Sequence, residues 1–172
     1  MGNGSWPTAI IGGTKSNRHP GPVLLDNFAI TGYQTRFTDE LAAIAGYWSE
    51  DWEYRRLHVH HNTGNGEGIR FGERAKVIYC IVADNSGMGL GGHGDDWLVQ
   101  ENEIARNRGK DAGHTGGVKV VYSRNGRFYK NHVHHNVGTG LWDDIDNWAV
   151  VHEENLVEHN TERGIATEIG FE

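Results

Sequence analysis

Side chains able to transfer protons, bind sugars or hold a metal ion fall at matching positions of a repeated segment. Each copy contains a glycine followed by an aliphatic residue, such as Gly140-Leu141 or Gly164-Ile165. Because alternate residues of a strand point to opposite faces, the first, third and fifth residues after the aliphatic one are expected outside. This rule predicts one outward face that carries seven functional side chains: Arg70, His93, Lys119, Trp142, Asp144, Asp146 and Glu168.

The acidic residues of this face predict general acid–base chemistry. Stacking of successive repeats places Asp144 beside Glu168, about 4.8 Å away along the stack. Two carboxyl groups this close, next to an aromatic ring and a cation, are suited to cleaving a sugar chain. Asp144 and Glu168 are therefore predicted catalytic residues, and Lys119 and His93 are candidate bases for a lyase reaction. Substrate binding is assigned to three side chains: Arg70, Trp142 as a sugar platform, and Asp146.

Two other interpretations of the same face remain open. Carboxylate oxygens are the ligands that Ca²⁺ prefers, so Asp144, Asp146 and Glu168 could hold calcium and bind an acidic polysaccharide through it. Alternatively, the face is the solvated surface of a non-catalytic binding or structural module. Like charges opposite each other on a sheet are disfavoured unless something compensates them, which favours a functional role.

A repeat of roughly two dozen residues organises the chain and predicts its fold. The copies end on asparagines that are 23, 22, 29 and 24 residues apart: Asn62, Asn85, Asn107, Asn136 and Asn160. A β-branched apolar residue lies three positions before each: Val59, Val82, Ile104, Val133 and Val157. Short β-branched strands broken by Gly and Asn favour stacked strands, and helical periodicity is almost absent. We expect an all-β parallel β-helix of about six coils over residues 23–172, after an irregular lead-in over residues 1–22.

Asparagine suits the corners of such coils, because it tolerates a left-handed backbone and its amide can hydrogen-bond to the coils above and below. Cys80 occupies the position that Asn102, Asn131 and Asn155 occupy in later coils. It is therefore expected to take part in the stacking and not to act as a nucleophile. The largest insertion between coils covers residues 108–116, and it could wall the predicted groove.

Overall charge excludes some partners. The 172 residues carry 16 Lys and Arg against 23 Asp and Glu, a formal net charge of −7. Phosphate binding needs a basic stripe, so nucleic acid is not an expected partner. No apolar stretch approaches the length that crosses a membrane, so a membrane partner is not expected either.

Histidines are numerous, with 11 in the chain, and cluster at His58, His60, His61 and at His132, His134, His135. The two groups occupy the same repeat positions about 14 Å apart, which prevents one shared site. Consecutive residues of a strand point to opposite faces, which argues against chelation by His134 and His135. We therefore expect structural or solvated histidines, and no zinc site of Cys and His ligands is apparent.

The coils at residues 126–146 and 147–168 resemble the right-handed β-helix repeats of the pectate-lyase-like superfamily. The most specific matches are Gly140-Leu141-Trp142-Asp143-Asp144-Ile145-Asp146-Asn147 and Gly164-Ile165-Ala166-Thr167-Glu168-Ile169. The resemblance extends from about Val23 to the last residue. It implies the fold strongly and the function weakly, since this superfamily includes lyases, hydrolases, epimerases and inert adhesin stalks.

Together, these observations predict a protein that binds or cleaves a polysaccharide, of lyase or glycoside hydrolase type. The alternative is a non-catalytic β-helix module, including a piece of a longer protein. The resemblance implies an extracellular or periplasmic parent protein, although residues 1–11 lack the features of a signal peptide. Members of the superfamily are usually much longer, so we also expect that open strand edges at the two ends favour self-association.

Overall fold

The chain is built of short parallel strands. The computed structural model describes residues 8–18, 21–35, 42–109 and 115–169. Within these ranges there are 23 strands and no helix. Most strands belong to three sheets, and from Ile69 onward the chain visits the sheets in a fixed rotation, one strand in each per coil. The predicted all-β parallel β-helix is confirmed.

The first sheet is the one that carries the predicted functional face. It has seven strands in chain order: β1 (Ile10–Ile11), β7 (Ile44–Ala45), β11 (Ile69–Phe71), β14 (Leu90–Asp95), β17 (Val118–Arg124), β20 (Leu141–Asp143) and β23 (Ile165–Thr167).

The second and third sheets complete each coil, with six strands apiece. The second sheet contains β4 (Val23–Asp26), β8 (Trp52–Arg55), β12 (Lys76–Ile78), β15 (Leu98–Gln100), β18 (Arg127–Tyr129) and β21 (Val151–Glu153). The third sheet contains β5 (Ala29–Thr31), β9 (His58–His60), β13 (Ile81–Ala83), β16 (Glu103–Ala105), β19 (His132–His134) and β22 (Leu156–Glu158). Strands β6 (Gln34–Thr35) and β10 (Thr63–Gly64) form a small parallel pair.

The core is a column of apolar side chains at equivalent positions of successive coils. In the first sheet these are Ile44, Ile69, Leu90, Val118 and Leu141, and in the third they are Val59, Val82, Ile104 and Val133, all fully buried. Aromatic rings fill the middle, where the Trp97 ring contacts Phe71 of the first sheet and Phe128 of the second. Burial of this column supplies the main driving force for stacking.

Two ladders of buried amides fix the coils in register. In the longer ladder, the side-chain Nδ2 of Asn62, Asn85, Asn107 and Asn136 each donates to the Oδ1 of the equivalent asparagine in the next coil, at 2.9–3.0 Å. The shorter ladder runs through Asn102, Asn131 and Asn155. Its first member is Cys80, whose backbone N donates to Asn102 Oδ1 at 2.8 Å. The predicted stacking of these asparagines, and of Cys80, is therefore confirmed. The left-handed backbone expected for the asparagines is wrong, because the residue before each of them has the positive φ.

Left-handed residues form the two corners that flank the third sheet. One set follows the strands of the second sheet: Asn27, Arg56, Tyr79, Glu101, Lys130 and Glu154. The other set follows the strands of the third sheet: His61, Asp84, Arg106, His135 and His159. All have φ between 51° and 61°, a region that costs a residue with a side chain about 1–2 kcal/mol. In most coils a ladder asparagine comes next, so its hydrogen bonds offset the strain of the corner.

The N-terminal segment is more regular than the predicted lead-in. Ile10 and Ile11 pair with Ile44 and Ala45 and so begin the first sheet. Strands β2 (Gly13–Thr14) and β3 (Asn17–Arg18) form a short antiparallel pair. Towards the other end, apolar side chains on the last strands are exposed, including Val151, Leu156 and Ile165. Self-association of the protein stays a prediction.

Replacing Asn107 by Ala should lower the free energy of unfolding by about 2–4 kcal/mol, because several buried polar groups lose their partner. Asn107 accepts hydrogen bonds from the backbone N and Nδ2 of Asn85, and donates to Val82 O and Asn136 Oδ1. Urea denaturation measures the change. The exposed Asn17→Ala is the control and should have little effect; similar losses in both variants would contradict a stabilising role for the ladder.

Candidate functional site

The first outward column of the functional face is in the predicted register. Arg70 pairs with Gly91, Gly91 with Lys119, and Lys119 with Trp142. The four residues therefore lie on consecutive strands, about 4.8 Å apart along the helix axis. Arg70 and Lys119 stand two strands apart, and between them Gly91 has no side chain.

A β-bulge changes the register further along the same strands. Gly92 pairs with Val120, but Gly94 pairs with Ser123, so β17 contains one residue more than β14 over this stretch. Tyr122 occupies the bulge with a φ of 51°, and its side chain is exposed. The rule for the fifth residue after the aliphatic one aligns Asp95 with Ser123, and this prediction is wrong because Asp95 pairs with Arg124. A bulge re-aims side chains locally, and here it moves Tyr122 to the wall of a groove.

Lys119 is the central cation of this groove. Its Nζ lies 2.7 Å from Asp144 Oδ2 and 4.1 Å from the centre of the Trp142 ring. The two charged side chains are only 13 % and 10 % exposed, so little water screens the pair. The sequence predicted that Lys119, Trp142 and Asp144 share a face, and in the structure Lys119 contacts both of the others.

Arg70 forms a second charged cluster with Glu67. The sequence predicted Arg70 as a site residue but did not predict Glu67. The Arg70 guanidinium lies 4.3 Å from the centre of the Tyr47 ring, and its Nε lies 3.8 Å from Glu67 Oε1. Glu67 is itself buried. A Cβ on Gly91 would lie 2.7 Å from Glu67 Oε1, so the carboxylate occupies space that any other residue at position 91 would fill. Glu67 is in the turn before Gly68, and strand periodicity cannot show that a turn residue folds back over the sheet.

The two clusters border one groove with a volume of about 200 Å³. Gly91 and Gly92 form its floor, for different reasons. Gly91 leaves space outside the sheet, whereas the ring of Phe71 fills the inner side of Gly92, where a Cβ would lie 2.1 Å from the ring. The lining residues are Tyr47, Glu67, Arg70, Met88, Gly91, Gly92, Lys119, Val121, Tyr122 and Ile145.

Of the predicted site residues, Arg70 and Lys119 line the groove, and the others, including Trp142 and Asp144, lie around it. The His93 ring stacks on Tyr47 with ring centres 3.5 Å apart, and both line a smaller adjoining cleft. Asp146 is exposed. Glu168 stands next to Asp144 in register, but its carboxylate contacts Arg163 Nη1 at 3.2 Å while that of Asp144 contacts Lys119. The two acids thus neighbour each other without sharing a partner.

The acids predicted to bind calcium are not gathered into one cluster. Within the described parts of the chain, no three His, Cys, Asp or Glu side chains lie close enough together to hold a metal ion. The insertion at residues 108–116, predicted to wall the groove, lies partly outside the described residues, which lack 110–114. Its contribution to the groove stays a prediction.

Asp143 points into the core, as its position beside Thr167 predicts. Its Oδ2 lies 2.7 Å from His152 Nε2, and the His152 ring stacks on Phe128. Both side chains are largely buried. A structural role for Asp143 is therefore supported by its geometry.

Consecutive histidines on the third sheet do not point to opposite faces, which corrects the sequence analysis. His134 Nδ1 lies 2.8 Å from His135 Nδ1, and His60 and His61 repeat this arrangement at the same distance. The cause is the corner: His61 and His135 have φ of 51° and 55°. A left-handed residue ends the alternation of the strand and keeps its side chain on the same side as its neighbour. The pKa of His134 and that of His60 are lowered, chiefly because burial disfavours the charged imidazole.

Comparison with known proteins identifies the architecture. The family described as the right handed beta helix region matches residues 42–171. The crystal structure of a single-site variant of the periplasmic alginate epimerase AlgG superposes with a TM-score of 0.58 at 12 % identity, covering 90 % of this chain and 41 % of that one. A double-site variant gives a TM-score of 0.48 at 12 % identity, covering 86 % and 43 %.

This chain therefore spans less than half the length of the solved protein that it resembles. At such low identity the likeness shows the fold alone. No curated protein sequence matches the chain. In the described ranges there is no helix long and apolar enough to cross a membrane.

Replacing Lys119 by Met should lower the free energy of unfolding by about 3 kcal/mol, because it leaves the buried carboxylate of Asp144 without its cation. Lys130→Met is the matched control: Lys130 pairs with Glu154 at 3.5 Å, but the two side chains are 44 % and 63 % exposed. Such a pair contributes less than about 1 kcal/mol. Urea denaturation measures the free energy of unfolding of both variants. Equal losses would contradict a larger contribution of the Lys119–Asp144 pair.

Proposed function

Since this chain belongs to the right-handed β-helix family, we propose that its groove holds a polysaccharide chain along the helix axis. The column of Arg70, Gly91, Lys119 and Trp142 runs in that direction. Its members recur about every 4.8 Å, which is close to the advance of one pyranose ring along a sugar polymer. Successive sugars would therefore meet successive strands.

The observation that carries the proposal is the contact of Lys119 with both Asp144 and Trp142. An ammonium donates hydrogen bonds to sugar oxygens, a carboxylate accepts them from sugar hydroxyls, and an aromatic face stacks on the apolar side of a ring. Tyr47, Tyr122 and the Glu67–Arg70 pair extend the same mixture of groups along the groove.

The shared fold is compatible with this ligand. AlgG is described as a periplasmic alginate epimerase, so a β-helix of this architecture can act on a polysaccharide. A polysaccharide ligand also fits the extracellular or periplasmic location expected for the parent protein.

For the reaction we propose acid–base cleavage of the sugar chain, of lyase or glycoside hydrolase type. In a lyase reaction on a uronate, Arg70 and Lys119 would neutralise the sugar carboxylate, a base would take the proton from the adjacent carbon, and an acid would protonate the glycosidic oxygen as its bond to the next carbon breaks. Asp144 is the carboxylate best placed to take the proton, because it lies against Lys119 near the groove. Glu168 and His93 would act from the edge of the site, and Asp146 would contact the substrate beyond it.

A binding module without catalysis is the second candidate, and one observation favours it. Both cations of the groove already have a carboxylate partner, Asp144 for Lys119 and Glu67 for Arg70. Paired charges of this kind present a polar surface of fixed geometry, which suits recognition as well as chemistry. Assays that follow binding and product formation separately distinguish the two candidates.

We expect the protein to bind at least one polymer in a panel of uronate-containing and neutral polysaccharides. Isothermal titration with defined oligosaccharides measures binding, and assays for unsaturated and reducing ends detect cleavage, with and without EDTA. Trp142→Ala should weaken binding about tenfold, equivalent to roughly 1.4 kcal/mol, through loss of ring stacking.

Trp148→Ala is the matched control, because Trp148 is an exposed tryptophan outside the column of Arg70, Gly91, Lys119 and Trp142. It should bind as the unaltered protein does. No binding and no product with any polymer would remove the polysaccharide proposal. Binding without product would support the module without catalysis.

Calcium binding by Asp144, Asp146 and Glu168 is tested in the same preparation. If the three acids hold the ion, added CaCl₂ should raise the midpoint of thermal unfolding, since a ligand that binds only the folded state stabilises it. Asp146→Asn should abolish the rise. An unchanged midpoint at millimolar Ca²⁺ would eliminate the calcium interpretation.

A further inference from the structure

The third sheet carries a feature that the proposed polysaccharide groove does not use. Two histidine pairs, His60-His61 and His134-His135, occupy the same position of the repeat. In each pair the first residue ends a strand and the second forms the left-handed corner. The pairs lie on strands β9 and β19, which are three coils apart in the third sheet.

The two imidazoles of each pair present the same atom to each other. The Nδ1–Nδ1 distance is 2.8 Å in both pairs. Two nitrogens bound at adjacent corners of a square-planar metal ion, with metal–nitrogen distances of about 2.0 Å, are also separated by about 2.8 Å. Adjacent corners of a tetrahedral ion would be separated by roughly 3.3 Å at the same bond length. The spacing therefore fits a square-planar ion better than a tetrahedral one.

We propose that His134 and His135 chelate a copper(II) ion through their two Nδ1 atoms. Copper(II) prefers square-planar or tetragonal nitrogen and oxygen ligands, and it is the most strongly bound of the divalent first-row ions. The pair supplies two of the four ligands, and water completes the coordination. This agrees with the absence of any cluster of three such side chains in the described ranges.

A second observation distinguishes this pair. His134 Nε2 lies 3.5 Å from Glu103 Oε1 on the preceding strand. A carboxylate on one ring nitrogen keeps the proton there and leaves the other nitrogen unprotonated, which is how carboxylates support metal-binding histidines. Glu103 is thus a positioning residue that turns the Nδ1 lone pair of His134 towards the metal.

The other pair provides a natural comparison inside the same molecule. Glu103 is aligned with His132, two residues before His134, and the equivalent alignment in the first pair is Ala29 with His58. Ala29 has no carboxylate to orient His60. We therefore expect the pair of His60 and His61 to bind copper more weakly than the pair of His134 and His135.

The competing explanation is a hydrogen bond between two neutral imidazoles, for which 2.8 Å is also an ordinary distance. In that case one Nδ1 carries a proton and the pair has no affinity for copper. The two explanations give opposite results on titration with copper.

The test is isothermal titration of the full, tag-free chain with CuCl₂ in a weakly coordinating buffer, with electron paramagnetic resonance to detect bound nitrogen. We expect two sites of unequal affinity. His135→Asn should remove the tighter site and His61→Asn the weaker one; Asn is chosen because it tolerates the left-handed corner. Glu103→Gln should weaken the tighter site by about tenfold or more and leave the weaker one unchanged.

The double variant His61→Asn/His135→Asn is the control for the remaining histidines and for nonspecific binding. The proposal would be overturned if the unaltered protein bound copper no more tightly than this double variant does. It would also be overturned if the tighter site survived His135→Asn. An unchanged tighter site in Glu103→Gln would overturn the role of Glu103. Circular dichroism of each variant confirms that its strand content is unaltered, so that lost affinity is not lost folding.

Discussion

Alignment of each coil over the next is the constraint on which every other feature of this protein depends. Apolar burial draws the coils together, and the amide ladders hold them in one register. A shift of one residue would break the chain of hydrogen bonds from Asn62 to Asn160 and expose the apolar column. The ladders therefore decide which residues of distant repeats become neighbours. The contact of Lys119 with Asp144 and Trp142 follows directly from that alignment.

The sequence predicted the fold and half of the groove because both obey the repeat. Strand alternation was sufficient to place Arg70, Lys119 and Trp142 in one column, and asparagine spacing was sufficient to find the ladders. The same rule failed where the backbone departs from a regular strand. The bulge at Tyr122 shifts the register by one residue, and no glycine or proline marks it in the sequence. The left-handed corner at His135 likewise reverses the direction that alternation predicts.

Glu67 was missed for a different reason. Its position in the turn before Gly68 carries no periodic signal, and its place in the groove depends on the missing side chain of Gly91 in the next coil. Only the folded structure shows that one residue fills the space left by another. The pairing of Asp144 with Lys119, in place of shared chemistry with Glu168, has a similar origin. Register placed Asp144 next to both Lys119 and Glu168, and the orientation of each side chain then selected its partner.

The regular left-handed corners have a consequence for how this scaffold can acquire new surfaces. In a strand the side chains of consecutive residues point to opposite faces, so a compact site on a sheet must be assembled from several distant segments. At these corners two successive side chains can lie on the same side, as in the pairs His60-His61 and His134-His135, and the left-handed residue recurs from coil to coil. Two adjacent substitutions can therefore introduce a bidentate unit while the interior stays untouched. In this architecture, the residues that stabilise the fold are distinct from the corner residues that can be substituted.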